Sequence, residues 1–330
     1  ATVYNTLNLF AAVLLALSMA SVVLHRRESV KLSVPPLDPA ATHTARAATP
    51  EAPYPDIYVL VLEGYGRADV LSRAYGYNNL PFLDEMQARG FQVAEQSFAN
   101  YPVAVASVSS MLNLDYLHKV AGDHATEADA SSLVPAYSQN RAFTFLRSKG
   151  YRIVAFSPRA DAFQPSPVLV DEIRTPPYAV TEFEQVLLRN SFAAPVLDGM
   201  YYWRYKVPGY WVNGFARQRV RYILSNFHER SGDGQQPCVV FAHLLVPDQP
   251  FLFTAKGGWA KPLGVSMRGE PVRASARQYL ESYVMQLHYV NRRLLELTDA
   301  IASTSKRPAV VLIVSSRGPG FEPATVRTEA

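Results

Sequence analysis

One cysteine in 330 residues, Cys238, excludes a disulfide framework and any zinc site built from several thiolates. It lies in the apolar run PCVVFAHLLV, where a buried and unreactive thiol is expected. A basic run is also missing. The net charge of +4 is spread along the chain, which gives no electrostatic footprint for nucleic acid. No internal repeat is present, so a solenoid is excluded. His118, His124, His228 and His288 show no metal-ligand spacing with one another and carry no role.

Charge is absent altogether from Ala1 to Leu24. Within that stretch LNLFAAVLLALSMASVVL (7–24) is 18 residues long and largely apolar, the lower limit for spanning a hydrocarbon core. A signal peptide is the rival reading, but the basic n-region is missing. Residues 1–27 are therefore expected to be a transmembrane helix and its flank. The start at Ala1, without an initiator Met, points to a chain cut from a longer protein. His25, Arg26 and Arg27 favour a cytoplasmic C-terminal side by the positive-inside rule. Residues 28–56 hold six prolines and no helical or strand period, the composition of an extended tether.

From residue 57 to 330 apolar runs alternate with amphipathic stretches. IYVLVLEG (57–64) reads as a strand buried on both faces, NLPFLDEMQARG (79–90) as a helix closed by Gly90, and FQVAEQSF (91–98) as a strand. VAVASVSSMLNLDYL (103–117) reads as a helix, and NRAFTFLRSKG–YRIVAFSP (140–158) as helix then strand. A helix near 214–230, a strand at 237–246, a helix from 273 to 303 and a strand at 309–314 follow. The pattern predicts an α/β class domain with a doubly wound, mostly parallel sheet. The aromatic-rich stretch 160–212 is expected to be an inserted cap over the sheet, in preference to a membrane-facing aromatic belt.

In such a sheet ligands bind at the carboxyl ends of the strands. Glu63 ends the first strand, and Ser315-Ser316-Arg317 end the last before a Gly-Pro-Gly turn. The helix after NYP (100–102) offers free backbone N–H groups, an anion site in principle. A carboxylate, a helix N-terminus and a strand tip are the parts of a metal-assisted ester-cleaving pocket.

PDIYVLVLEGYGRADVLSRAYGYNNLPFLDEMQARGFQVAEQSFANYP (55–102) resembles the opening of bacterial membrane-anchored sulfatase-like proteins, relatives of lipoteichoic acid synthases in the alkaline phosphatase superfamily. NRAFTFLRSKGYRIVAFSP, FAHLLVPDQPFLF (241–253) and YVMQLHYVNRRLLELTDAI (283–301) fit the same group in the same order, so the resemblance covers about 55–320. It implies an alkaline phosphatase-like fold anchored in the bacterial cytoplasmic membrane. The globular domain then stands on the outer side, which outranks the His25–Arg27 cue. It also implies that relatives continue past Ala330 with sheet and helix that complete the domain.

The resemblance implies site residues too, and here the chain departs from the pattern. An acidic metal ligand follows the first strand, and Glu63 fits. The nucleophile, usually Thr, opens the helix after NYP; here NYPVA puts Ala104 in that place, so no catalytic nucleophile is intact. An Asp-His metal pair precedes GPG; here Ser316 and Arg317 stand there, and arginine donates no lone pair. A His commonly precedes the PPF segment; here Asp248 does. The expected metal ligand is thus Glu63, with degenerate positions at Ser316 and Arg317 and a substrate pocket of His243, Asp248 and Arg317.

Bland alternatives stand beside these. Glu63 caps a loop or pairs with Arg317, and Ser107, Ser109 and Ser110 are packing serines. The sequence therefore predicts a degenerate sulfatase-like domain with no cofactor, acting by binding or scaffolding. Its partners are the lipid bilayer and an anionic envelope lipid or glycan. The alternative is an active ester hydrolase or phosphoglycerol-type transferase using a divalent cation (Mn, Zn, Mg or Ca).

Overall fold

The computed structural model describes residues 54–121, 133–157, 165–177, 210–230, 236–260 and 275–320, with scattered positions between 184 and 203. The expected membrane helix (7–24) and nearly all of the tether lie outside the described residues. Among the described residues no helix is long and apolar enough to cross a membrane.

The described elements are β1 (Asp56–Glu63), α1 (Ala68–Tyr75), α2 (Leu80–Ala88), α3 (Ala104–Asn113), α4 (Leu117–Ala121), α5 (Val134–Ser138) and α6 (Arg141–Ser148). They continue with β2 (Arg152–Phe156), β3 (Glu172–Arg174), α7 (Tyr210–Asn226), β4 (Cys238–Pro247), α8 (Ala276–Thr304) and β5 (Ala309–Ser315). The five strands form one all-parallel sheet in the order β3-β2-β4-β1-β5. This is the α/β class expected, and it is compatible with a doubly wound sheet.

Alternation along the strands assigns the two faces. Tyr58, Leu60 and Leu62 of β1 join Val240, Ala242 and Leu244 of β4 on one face, covered by Val220, Ile223 and Leu224 of α7 and Val290, Leu294, Leu297 and Ile301 of α8. Val61, Val239, Phe241, Ile153 and Ala155 face the other way, onto Val108 and Leu112 of α3, Tyr137 of α5 and Phe143 of α6. Helices on both faces explain why β1 and β4 read as near-continuous apolar runs. The 29-residue α8 begins at a capping box, Ser275 with Gln278, and its apolar stripe recurs at three- and four-residue steps.

Two sequence expectations change. Residues 91–98 are not a strand: their side chains are mostly exposed, and Phe98 lies under the Arg67 guanidinium, 4.6 Å from the ring centroid. The segment joins none of the five strands of the sheet. The long helix expected over 103–117 breaks at Leu114, whose φ of 57° ends α3 before α4 begins. The region expected as a cap also supplies β3, an edge strand of the sheet.

The two sheet edges differ. β3 has three residues, Glu-Ile-Arg, with Glu172 paired to Arg174. β5 has seven, of which Val310 and Leu312 are 43% and 46% exposed.

At the amino end of the sheet Asp56 is fully buried. Its Oδ1 accepts the Cys238 N–H at 2.9 Å, and Arg230 Nη1 lies 3.2 Å from Oδ2. Asp56→Ala removes one member of a buried pair and is expected to lower unfolding free energy by about 3–5 kcal/mol in urea titrations. Asp56→Asn, which still accepts the Cys238 N–H, is expected to cost less.

Candidate functional site

Parallel pairing brings the carboxyl ends of β4, β1 and β5 side by side. Leu62 pairs with Ser315 on one side and Leu244 on the other, after which the β1–β4 register slips and Glu63 lies opposite Pro247. The residues that follow each strand therefore converge. Asp248 N–H donates to Glu63 O at 3.0 Å, and Ser316 N–H to Leu62 O at 2.8 Å.

Arg317 occupies the point of convergence. Its Nη2 donates to Glu63 Oε1 at 3.2 Å and also to Asp248 Oδ2. Glu63, Asp248 and Arg317 are thus one ion-paired group drawn from three adjacent strand ends. His243 stands beside it, with Nε2 3.9 Å from Glu63 Oε2. His243 is buried, and that Nε2 has no hydrogen-bond partner among the described residues. The same is true of the buried Ser316 Oγ.

The surrounding backbone is built for close approach. Gly64 has φ +77°, and a Cβ there would come 2.7 Å from Asp248 Cβ. The Tyr283 hydroxyl donates to Gly64 O at 2.8 Å and accepts the Gly66 N–H at 3.3 Å, pinning the β1 tip to α8. Gln286, fully buried on α8, donates to Pro247 O and Asp248 O and accepts from Leu252 N and Phe253 N. It fixes the loop that carries Asp248. On the β5 side the Ser315 hydroxyl donates to Arg317 O and accepts the Tyr65 N–H. Sequence reasoning did not single out Gln286 or Tyr283. The signal was their place on the apolar stripe of α8, where a buried amide needs backbone partners.

Ala104 is the first residue of α3, after an extended Val103 with no side-chain cap. It brings a methyl, not a hydroxyl, to that helix N-terminus. Ser107 and Ser110 are bonded locally, Ser107 Oγ to Tyr101 O and Ser110 Oγ to Asp115 O, both at 2.8 Å. A cavity of about 30 Å³ between α7 and β4, touching Arg219, Ile223 and His243, has room for one water and no substrate.

The charges decide what this arrangement does. Two carboxylates and one guanidinium leave the group at −1, and His243 adds nothing because burial pulls its imidazole down to about 4. A phosphate or sulfate would compete with two carboxylates for the same guanidinium. The residues present do not fit a divalent cation either: Arg317 already supplies the positive charge between the carboxylates and offers no lone pair. Among the described residues no group of three or more His, Cys, Asp or Glu is placed to hold a metal ion. No family model, curated protein or solved structure matches the chain.

Two outcomes follow from the geometry. Gly64→Ala forces a left-handed alanine against Asp248 and is expected to lose at least about 1–2 kcal/mol, read as a lower urea midpoint. The His243 imidazole titrates near 6.5 when unfolded and about 4 when folded. Its contribution is fully present above pH ~6.5 and is lost as pH falls towards ~4, because the unfolded chain binds more protons in that window. Stability is expected to drop by about 3 kcal/mol across it. His243→Leu should flatten that slope in pH-resolved denaturation.

Proposed function

We propose that the chain is a membrane-anchored sulfatase-like domain, on an alkaline phosphatase-like sheet, that has lost catalysis and acts by binding or scaffolding. In this reading it stands on the outer side of the bacterial cytoplasmic membrane. The observation that carries the proposal is Arg317 seated between Glu63 and Asp248. Metal-assisted ester cleavage needs a Lewis acid that accepts lone pairs from ester oxygen and nucleophile. A guanidinium reproduces the charge of such a cation but not its orbitals. It holds the two carboxylates together and polarises nothing. Ala104 removes the other requirement, since a methyl group attacks no ester.

A net −1 tip also directs any anionic lipid or glycan to a different surface of the domain. Binding there asks nothing of the degenerate tip beyond holding the strand ends in register.

A second reading has one observation in its favour. The His243 imidazole nitrogen without a hydrogen-bond partner among the described residues lies next to Glu63, and Asp248 supplies a further carboxylate. With Arg317 displaced, these three side chains have the donor chemistry for Mn or Zn. The domain would then be an active hydrolase or phosphoglycerol-type transferase.

Elemental analysis of the purified full chain, with turnover of aryl sulfate and aryl phosphate, separates the readings. The degenerate reading expects no stoichiometric metal and no turnover above that of Glu63→Ala. About one tightly bound Mn or Zn per chain, with turnover lost in Glu63→Ala, would overturn it. A further expectation concerns Arg317→Met, which leaves two carboxylates facing each other. Its thermal midpoint should fall and recover in part on adding Mn²⁺ or Ca²⁺, while the unsubstituted chain responds to neither ion.

A further inference from the structure

β5 closes the sheet at the end opposite β3. It pairs with β1 over its whole length, from Ala309 beside Asp56 to Ser315 beside Leu62, without a bulge. Among the described residues no strand pairs with its other side. Proteins guard such an edge with charge, proline, a bulge or a very short strand. β3 is guarded in this way, being Glu-Ile-Arg. β5 is not: Ala-Val-Val-Leu-Ile-Val-Ser carries no charge, no proline and no glycine. Its exposed side chains are also contiguous. Val310 stands beside Ile57 and Leu312 beside Val59, so the four form one apolar patch on the face that carries Val61 and Val314.

The charges at the two ends of β5 select what fits this edge. Exposed Lys306 and half-buried Arg307 precede the strand, while the Glu63–Asp248–Arg317 group at its tip carries a net −1. A second copy of the strand, laid antiparallel, sets the basic end of each chain alongside the acidic tip of the other, twice over by symmetry. A two-fold axis perpendicular to the sheet keeps every side chain on its own face. Full overlap of residues 309–315 puts that axis at Leu312, the centre of the strand. Leu312 then faces its own copy and Val310 faces the partner's Val314, so the two apolar patches join across the seam. The same strand supplies the length, the apolar alternation and both signs of charge in matching order.

We propose that β5 pairs antiparallel with β5 of a second copy of this chain, about a two-fold axis at Leu312, and joins two five-stranded sheets into one. A seven-residue edge is only ~23 Å long. The surface it covers falls short of the roughly 1,200 Å² of a stable interface. The pairing is therefore weak in dilute solution and rises with protein concentration. It is independent of whether the domain turns over an ester.

Cys238 is fully buried, so a cysteine placed on β5 supplies a single reactive thiol. The purified full chain carrying Leu312→Cys is oxidised at rising concentration and read on a non-reducing gel. Opposed residues of an antiparallel pair lie about 4.5–5.5 Å apart at Cα, within reach of a disulfide. The pairing predicts a dimer band for Leu312→Cys that grows with concentration, and none for Val310→Cys alone, which lies four residues out of register with its own copy. Mixing Val310→Cys with a size-tagged Val314→Cys chain should give the mixed dimer. Lys306→Glu added to Leu312→Cys should lower the dimer yield several-fold at low salt and less at high salt. Equal linking at 310 and 312 reports random encounters and overturns the pairing. Absence of any link overturns it too, and slow amide exchange along β5 in that chain assigns the edge to a segment of the same molecule.

Discussion

The carboxyl edge of the sheet depends on one electrostatic requirement. Parallel pairing of β1 with β4 places Glu63 and Asp248 at adjacent strand ends, and two carboxylates in a partly buried site repel. A cation between them turns that repulsion into a tie. Arg317 supplies it from the third strand end, so the guanidinium links β4, β1 and β5 where their hydrogen-bond ladders stop. The neighbouring details serve that arrangement. Gly64 lets the β1 tip pass against Asp248, Gln286 holds the loop behind Asp248, and the Ser315 hydroxyl accepts from Tyr65 and donates to the Arg317 carbonyl.

Much of this was legible in the sequence because strands buried on both faces announce themselves. The runs around Ile57, Val239 and Val310 each became a strand, and strand-end logic located Glu63 and Arg317, while Asp248 was singled out only by the resemblance. Strand order was not legible. Nothing in the three runs says that β1 lies between β4 and β5, and that placement is what brings the three side chains together. Residues 91–98 show the same limit from the other side. Their alternation is real, but the side chains are mostly exposed and pair with no strand, and β propensity without a packed face does not make one. β3 escaped notice because Glu-Ile-Arg carries one apolar residue and has no period to read.

His243 clarifies what kind of pocket remains. An imidazole that stays neutral down to about 4 does not balance Glu63 at neutral pH, so the positive charge beside Glu63 and Asp248 is that of Arg317. A titratable cation would let the tie loosen with pH. A guanidinium keeps its charge throughout, so only protonation of the carboxylates loosens the tie. The strand ends are thus held by a permanent charge in a place where a metal would bring a dissociation constant and chemistry with it. In the reading proposed above, that exchange favours architecture over turnover, and the methyl of Ala104 belongs to the same account.

The strand that delivers Arg317 is one of the two edge strands of the sheet. β1, β2 and β4 are each paired on both sides, and the outer edge of β3 is short and charged, as protected edges are. β5 is longer and apolar, exposes Val310 and Leu312, and takes its register from β1 alone. Its position is therefore fixed by one ladder along its length, by Val311, Ile313 and Val314 packed on the core, and at its tip by the Tyr65–Ser315 hydrogen bond and the Arg317 ion pairs. Severing those ion pairs loosens the end of a strand that, among the described residues, pairs on one side only. The charge tie that draws three strand ends together also helps to secure the last of them.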